Sequence, residues 1–489
     1  METKILPPYA PTLIESTRAI GYSLEAAVAD IIDNSIAAKT SQIDIDFFPF
    51  GEPYISILDD GIGMTKSELI TAMQYGSRNP LEERATDDLG RYGLGMKTAS
   101  LSQCRILTVL TKKNGVFAGA QWNLNHIQKT QNWSLLIFSN EDIQNQNFPS
   151  LSKINNYDNG TLVIWQDLDK FAIGENSTEE AFSRKMTLTR EHLSLVFHRY
   201  LSGEPDLKKL SIKMNNEPVS PQDPFLFKKS FQLMDEETIT VRGQKVKITP
   251  YILPHISNLS SEELKDLGGK DGLRKNQGFY VYRNKRLLIW GTWFRLMRHG
   301  ELSKLARVKV DIPNSLDDLW TLDIKKSTAT PPEEVRKNLA VIIEKISEGS
   351  RRTWTHRGKK EINDTVVHIW NRMISRNGGI YYEINAKHPM IEAIVTNHPE
   401  MRKQIETMLQ QISLSIPLNA LYVDLTNDVK ITNDTEQTSL DIISVIKSIG
   451  SNIPPELKKD WLASLMTTEP FCKYIDEIES AQKRGLFND

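Results

Sequence analysis

Cysteine is almost absent from this chain: only Cys104 and Cys472 occur among 489 residues. Two thiols cannot build a disulfide framework or a multi-cysteine zinc site, and such scarcity suits a reducing compartment. Charge of one sign is lacking too. Lys and Arg number 60 against 62 Asp and Glu, a formal net charge of −2. Attraction to nucleic acid or to a membrane surface therefore has to be local. No apolar run reaches the roughly 18 residues of a membrane span. The first thirty residues hold three prolines and several acids but no signal-peptide core. These absences point to a cytoplasmic protein with no membrane contact. The nine histidines are scattered without metal spacing, and His192 and His198 are expected at the surface or as caps. No Ser-His-Asp or Cys-His arrangement can be assembled. Internal repeats and low-complexity segments are missing as well. An apolar content of 39% with 25% charged residues is ordinary for a globular chain, and at roughly 150 residues per domain the length allows two or three domains.

What is present concentrates between 25 and 100. EAAVADIIDNS (25–35) has helical spacing, with Leu24, Val28, Ile31 and Ile32 recurring on one side. Asp30 and Asn34 are four apart and share a face. A carboxamide oxygen is a neutral ligand for Mg²⁺ and a carboxylate can take a proton from water, although such a pair is also common on a solvated helix face. LDDGIGM (58–64) ends the strand YISILDD in two acids and a glycine turn. Gly61 and Gly63 would let backbone approach a flat ligand, and Asp59 could accept a hydrogen bond from an exocyclic amine; a plain Asp-Gly turn is the alternative. GRYGLGMKTAS (90–100) places Gly93 and Gly95 before a helix whose free N–H groups suit phosphate. Lys97 opposes the dipole of that helix, which an anion nearby would explain.

Along the chain, residues 1–12 carry Pro7, Pro8 and Pro11 and read as an extended N-terminal arm. Strands are predicted at 42–48, 54–60, 105–112, 116–122 and 159–168, a short helix at 66–75 within a mobile flap at 65–92, and a longer helix at 177–202. A second α/β unit, after a linker near 205–225, holds a strand-turn-strand at 279–290, a helix around 292–305 and strands at 306–312 and 319–324. From Glu333 the pattern is mostly helical, with one alternating piece at 378–384. The resulting division is arm 1–12, first α/β domain 13–210, second α/β domain 211–332 and a mainly helical region 333–489.

The three stretches in this order resemble the GHKL ATPases, the superfamily of the gyrase ATPase subunit, MutL, the large heat-shock chaperones, MORC proteins and histidine kinases. Gly160-Thr161 in NGTLVIW matches that family's fourth element. The resemblance, over about 13–170, implies a Bergerat ATP-binding fold, an α/β sandwich. It implies that Asn34 holds Mg²⁺, that Asp59 reads adenine beside Gly61, Gly63 and Met64, and that Gly93, Leu94, Gly95, Met96 and Lys97 lie along the phosphates. Thr161 would support Asp59 and an adenine-bound water. Asp30 stands where hydrolysing members usually carry Glu as general base, one methylene shorter, so the water is held closer or turnover is slow. Ala37 stands where many members have Asp.

The short chain ahead of the first helix disfavours the histidine-kinase branch. GFYVYRNKRLL (278–288) looks like the MutL-type hairpin of a transducer domain, and LWTLDIKKSTATPP (319–332) like the loop that sends a lysine to the γ-phosphate. Lys326 is the first choice and Lys325 the second. Residues 270–309 hold eleven Lys or Arg against Asp271 and Glu301, with Tyr280, Tyr282, Trp290, Trp293 and Phe294 interleaved. Most of these aromatics are expected in the core. The cations, with RRTWTHRGKK (351–360), offer a surface for DNA or RNA. The expected function is an ATP-gated dimer clamp on nucleic acid, in genome maintenance or defence against foreign DNA. The alternative is a chaperone-like or scaffold ATPase whose helical C-terminal region meets a protein partner.

Overall fold

The computed structural model describes residues 3–4, 8–19, 21–76, 95–146, 148–174, 177–205, 207–232, 235–300, 303–316, 320, 331–333, 335–343, 367–374, 380–418, 421, 442–450, 453, 455–468 and 471–487. The chain divides into two compact units, 1–357 and 358–489.

Helix α1 (Ala10–Arg18) begins inside the expected arm, with Pro11 in its first turn, where the missing N–H has no helical partner to lose. Helix α2 (Leu24–Ala37) is capped by the Ser23 hydroxyl, which accepts from the Ala26 N–H. It is buried on nearly every side, against α4 (Gly95–Gln103), α8 (Thr178–Val196) and the sheet below. Among the described residues that sheet has eight strands: β1 (Gln42–Phe48), β2 (Tyr54–Asp59), β3 (Ile106–Lys113), β4 (Val116–Asn123), β5 (Leu136–Phe138), β6 (Gly160–Gln166), β7 (Ser211–Met214) and β8 (Glu217–Pro218). Their order is β5-β4-β3-β6-β2-β1-β7-β8, and only the β1–β7 pair is parallel. The sheet therefore continues past position 210.

Strand alternation sorts the two faces. Ile55, Ile57, Leu107, Val109, Val163 and Trp165 pack under α2 in the main core. Tyr54, Leu58, Leu110, Leu162 and Ile164 face the other way, toward Ile143 and Ile154 of α6 (Asn140–Gln144) and α7 (Pro149–Asn155). β2 is buried along its whole length at the centre of the sheet. Truncating Ile57 to alanine there would cost about 2–5 kcal/mol.

α9 (His198–Ser202) leads toward a second sheet, ordered β10 (Glu237–Val241), β11 (Gln244–Ile252), β14 (Ala306–Ile312), β12 (Gly278–Arg283), β13 (Arg286–Thr292), with β9 (Phe231–Gln232) also on β11. Asn284 and Lys285 turn the β12–β13 hairpin at φ 47° and 68°, both positive as a two-residue type I′ turn requires. Among the described residues of 292–305 the expected helix is not formed. Phe294 and Arg295 have φ of 51° and 61°, which a right-handed helix cannot hold, and Trp293 drops into the core with its indole N–H on Gln277 Oε1 at 3.1 Å. Val335, Leu339, Ile342 and Ile343 join this second core.

In the unit after 357, strands Trp370–Ile374 and Ile380–Ile384 pair antiparallel. Helices Ile442–Gly450, Pro455–Met466 and Ile475–Lys483 close a core of Ile442, Ile446, Leu462, Leu465 and Ile478. The strand expected at 319–324 lies outside the described residues apart from Trp320, which is buried in a turn. No helix among the described residues is long and apolar enough to cross a membrane.

Candidate nucleotide site

Ile55 and Ile57 point under α2, so Asp59, the next position of the same parity, points there as well. Ser35 meets it: the hydroxyl donates to Asp59 Oδ2 at 2.8 Å, and the Gly61 N–H donates to Oδ1 at 2.9 Å. Burial pushes the Asp59 carboxyl up to about 6, against the pull of the Ser35 and Gly61 donors. The neighbouring acid is occupied differently. Asp60 accepts from the Thr40 and Ser41 hydroxyls and from the Ser41 and Gln42 N–H groups. Burial works the other way, but these bonds hold its carboxyl down to about 2. Asp60 is thus spent on pinning the α2–β1 connection, and Asp59 faces the site.

Register completes the floor. Asp59 lies opposite Thr161, and Thr161 opposite Thr111. The two threonine hydroxyls are 3.2 Å apart, and Thr111 Oγ1 also donates to the Gly160 carbonyl at 2.9 Å and accepts from the Met64 N–H at 2.9 Å. The glycines are required by space. A Cβ on Gly61 would meet Ala38 at 2.8 Å, one on Gly63 (φ +64°) would lie 2.0 Å from the Lys112 carbonyl oxygen, and one on Gly160 would lie 2.5 Å from the Asp59 carbonyl oxygen.

Helix α2, which carries Ser35, also carries Asp30 and Asn34. Asn34 is exposed and its Nδ2 donates to the Asp30 carbonyl at 3.0 Å, which leaves Oδ1 as an outward acceptor. Asp30 is 6% exposed, and a Cβ on Gly95 would come no nearer than 3.9 Å to its Oδ2. The start of α4 therefore abuts Asp30. Met96 is half-buried against the main core. Lys97 goes elsewhere: it is 2% exposed, and its ammonium donates to the carbonyls of Ala72 and Gln74 at 2.8 Å each. That is the C-terminal end of α3 (Lys66–Met73), where a cation suits the helix dipole. Gly93, Leu94, Lys325 and Lys326 lie outside the described residues.

Sequence matches to known proteins bear on this arrangement. Residues 22–161 match the model of the family described as "Histidine kinase-, DNA gyrase B-, and HSP90-like ATPase". Those residues are a GHKL ATPase domain. The chain is similar to ATPase morc-1 of Caenorhabditis elegans, 32% identical over 92 residues, covering 19% of this chain and 10% of that protein. It is similar to the DNA mismatch repair protein MutL of Dictyoglomus turgidum, 28% identical over 131 residues (25% and 23% of the two chains), and of Paramagnetospirillum magneticum, 30% over 132 residues (26% and 20%). The chain thus spans a quarter or less of the length of these relatives. A crystal structure of the N-terminal domain of a DNA repair protein aligns with a TM-score of 0.40 at 14% identity, over 68% of this chain and 94% of that one.

Several residues around the GHKL site escape a sequence reading. Thr111 is signalled only by strand parity, once the strands are in register, and Ser35 only by following Asn34 on α2. Asp33 and Arg286 are not signalled at all: Arg286 Nε donates to Asp33 Oδ1 at 2.9 Å from 253 residues away. The histidines also differ from expectation. His198 is buried, its Nε2 2.7 Å from Tyr282 Oη, and burial pushes it down to about 3. It joins the two sheets in place of lying on the surface.

The basic run 270–309 divides in two. Arg283, Arg286, Lys304 and Arg307 are buried, as are Tyr280, Tyr282 and Trp293. Arg274, Lys275, Arg295 and Arg298 are exposed, and Arg274, Lys275, Gly291 and His299 line a cavity of 440 Å³. Residues 351–360 lie outside the described residues. Among the described residues no group of three or more His, Cys, Asp or Glu side chains is placed to hold a metal. An ion carried by nucleotide phosphates needs no such cage. Mg²⁺ retains waters and takes one or two protein oxygens, a demand that Asn34 Oδ1 fits.

Proposed function

We propose that the chain is an ATP-driven conformational switch that hydrolyses ATP slowly and closes as a homodimer on nucleic acid. The observation that carries this reading is Asp59, buried under the Ser35 hydroxyl and the Gly61 N–H and set opposite Thr161, itself opposite Thr111, in the sheet. In this reading Asp59 accepts from the adenine amine, Thr161 supports it through water, and Gly61, Gly63 and Met64 give the base its close approach. Gly93, Leu94, Gly95 and Met96 line the phosphates. Asn34 holds Mg²⁺, which when bound neutralises charge on the phosphates. Asp30 takes the proton of the attacking water, and Lys326, or else Lys325, reports the γ-phosphate to the second domain. Lys97, anchored on α3, acts by fixing the entry to the phosphate loop.

Nucleic acid is the favoured client, supported by the exposed cations around the 440 Å³ cavity and by the names of the MutL relatives. Genome maintenance and defence against foreign DNA are the matching settings. Exposed Met408, Ile412 and Leu414 on helix Arg402–Leu414 favour a second reading, a scaffold or chaperone-like ATPase with a protein client. A mobility-shift assay with and without a non-hydrolysable ATP analogue separates the two. Salt-sensitive DNA binding strengthened by the analogue is expected, and no binding even at low salt contradicts the nucleic-acid reading.

A further inference from the structure

Thr111 lies near the end of β3 and Thr161 near the start of β6, and the two pair across the sheet. Leu107 and Val109 lead to Thr111 on the face under α2, and Val163 and Trp165 lead back to Thr161 on that same face, beside Asp59. Thr111 is fully buried. Its hydroxyl oxygen has three neighbours: the Gly160 carbonyl at 2.9 Å, the Met64 N–H at 2.9 Å and the Thr161 hydroxyl at 3.2 Å. Among the described residues Thr161 Oγ1 has no other hydrogen-bond partner.

A buried threonine is ordinarily satisfied by one bond to a backbone carbonyl. Thr111 uses its whole capacity, one proton and two lone pairs. Two of its partners are backbone groups with fixed roles, since a carbonyl can only accept and an N–H can only donate. Both are held in place, because a Cβ on Gly63 or on Gly160 would strike neighbouring backbone. The Thr111 proton therefore goes to Gly160, and one lone pair takes the Met64 N–H. The other lone pair is left for Thr161, whose hydroxyl must donate. Thr161 then turns lone pairs, not a proton, toward the site. Asp59 is an acceptor too. A water held between Asp59 and Thr161 would spend both protons on them and could only accept from a base.

We infer that Thr111 is a positioning residue that sets the polarity of Thr161 and so makes the floor of the site an all-acceptor surface, selecting a 6-amino purine over a 6-oxo purine. The inference rests on the reading of Asp59 and Thr161 as the adenine contacts. Without the Thr111 oxygen, the Thr161 hydroxyl is free to turn and donate, and a 6-oxo group becomes acceptable.

The test uses the full chain and calorimetric titration with ADP and with inosine diphosphate, which differ on the base edge that carries the 6-amine. The wild type is expected to bind ADP at least about tenfold more tightly. Thr111→Val keeps the shape without the hydroxyl and should lower the ADP-to-inosine-diphosphate affinity ratio by about two- to tenfold. Any loss from packing alone weakens both ligands and leaves the ratio unchanged. Thr111→Ser restores the oxygen and should restore the ratio. Thr161→Val should lower it as Thr111→Val does, and the double variant should lower it no further, because Thr111 acts through Thr161. If Thr111→Val does not fold, Thr111→Cys, whose thiol is a weak donor and acceptor, is read by the same ratio. Equal binding of the two ligands by the wild type, an unchanged ratio in the folded Thr111 variants, or a further fall in the double variant each overturn the assignment. Asp59→Asn, run alongside, separates the two failures. If it binds ADP as the wild type does, the adenine reading is wrong and the Thr111 inference falls with it. If it loses ADP while Thr111→Val keeps the wild-type ratio, only the Thr111 inference falls.

Discussion

Asp59→Asn should separate affinity from stability. The wild-type carboxylate accepts from Ser35 on one oxygen and from the Gly61 N–H on the other. Asparagine keeps an oxygen for Gly61, whose N–H cannot turn, and offers its NH₂ to Ser35, whose hydroxyl can turn and accept. The site therefore stays assembled. What is lost is the charged acceptor for an adenine amine, worth about 1.5–3 kcal/mol, or roughly 10- to 150-fold in affinity. Stability should move the other way. A carboxyl pushed up to about 6 by burial, from an ordinary value near 4, costs the fold roughly 3 kcal/mol when ionised at neutral pH. The neutral amide avoids that cost. Calorimetric titration with ADP should show the loss of binding, and thermal unfolding without nucleotide should show a Tm equal to or above that of the wild type. ADP binding within about threefold of wild type would refute the role of Asp59. A sharp fall in Tm with no nucleotide present would refute the hydrogen-bond account of the site.

The same carboxyl sets a pH dependence. It holds its proton more tightly in the fold than in the unfolded chain, so its contribution to stability falls as pH rises from about 4 to about 6. Nucleotide selects the ionised form, so affinity should weaken up to about tenfold per pH unit below about 6, which titrations at several pH values would show, and Asp59→Asn should flatten the profile. Gly63→Ala would force a Cβ to 2.0 Å from the Lys112 carbonyl at positive φ, and a loss of about 2–4 kcal/mol by denaturant unfolding is expected. Lys97→Met leaves the Ala72 and Gln74 carbonyls without their ammonium, and hydrogen exchange at the end of α3 should speed up, with about 1–3 kcal/mol lost from local stability.

Much of the first domain was legible because its signals are local. Alternation placed β1 over the span it occupies, Gln42–Phe48, and the Asp-x-Gly-x-Gly turn follows from steric demands that any strand-to-helix approach this close would impose. Asp59 is marked by its place at a strand end before a glycine turn and Thr161 by the family resemblance; that the two lie opposite each other follows from the β2–β6 register. The failures share a cause: they depend on partners distant in sequence. The segment 292–305 carries helix-compatible residues, but Trp293 is claimed by Gln277 and the second core, and the chain bends through two positive-φ residues to allow it. Lys97 carries no mark of its partners, because the carbonyls of Ala72 and Gln74 become available only when α3 ends beside α4. His198 looked polar and proved buried because Tyr282 accepts or donates across the domain junction. Arg286 belonged to a run of cations that reads as one surface, and only the packing of β13 on α2 shows that it is buried and paired.

The claim that ATP drives a switch is tested most directly by Asp30→Ala. Hydrolysis and oligomeric state should be measured together, by phosphate release and light scattering, with Mg²⁺ and ATP present. The account predicts that the variant binds ATP, releases little or no phosphate and accumulates as a dimer that the wild type forms only transiently. Phosphate release at the wild-type rate, or an ATP-bound variant that stays monomeric, would contradict it.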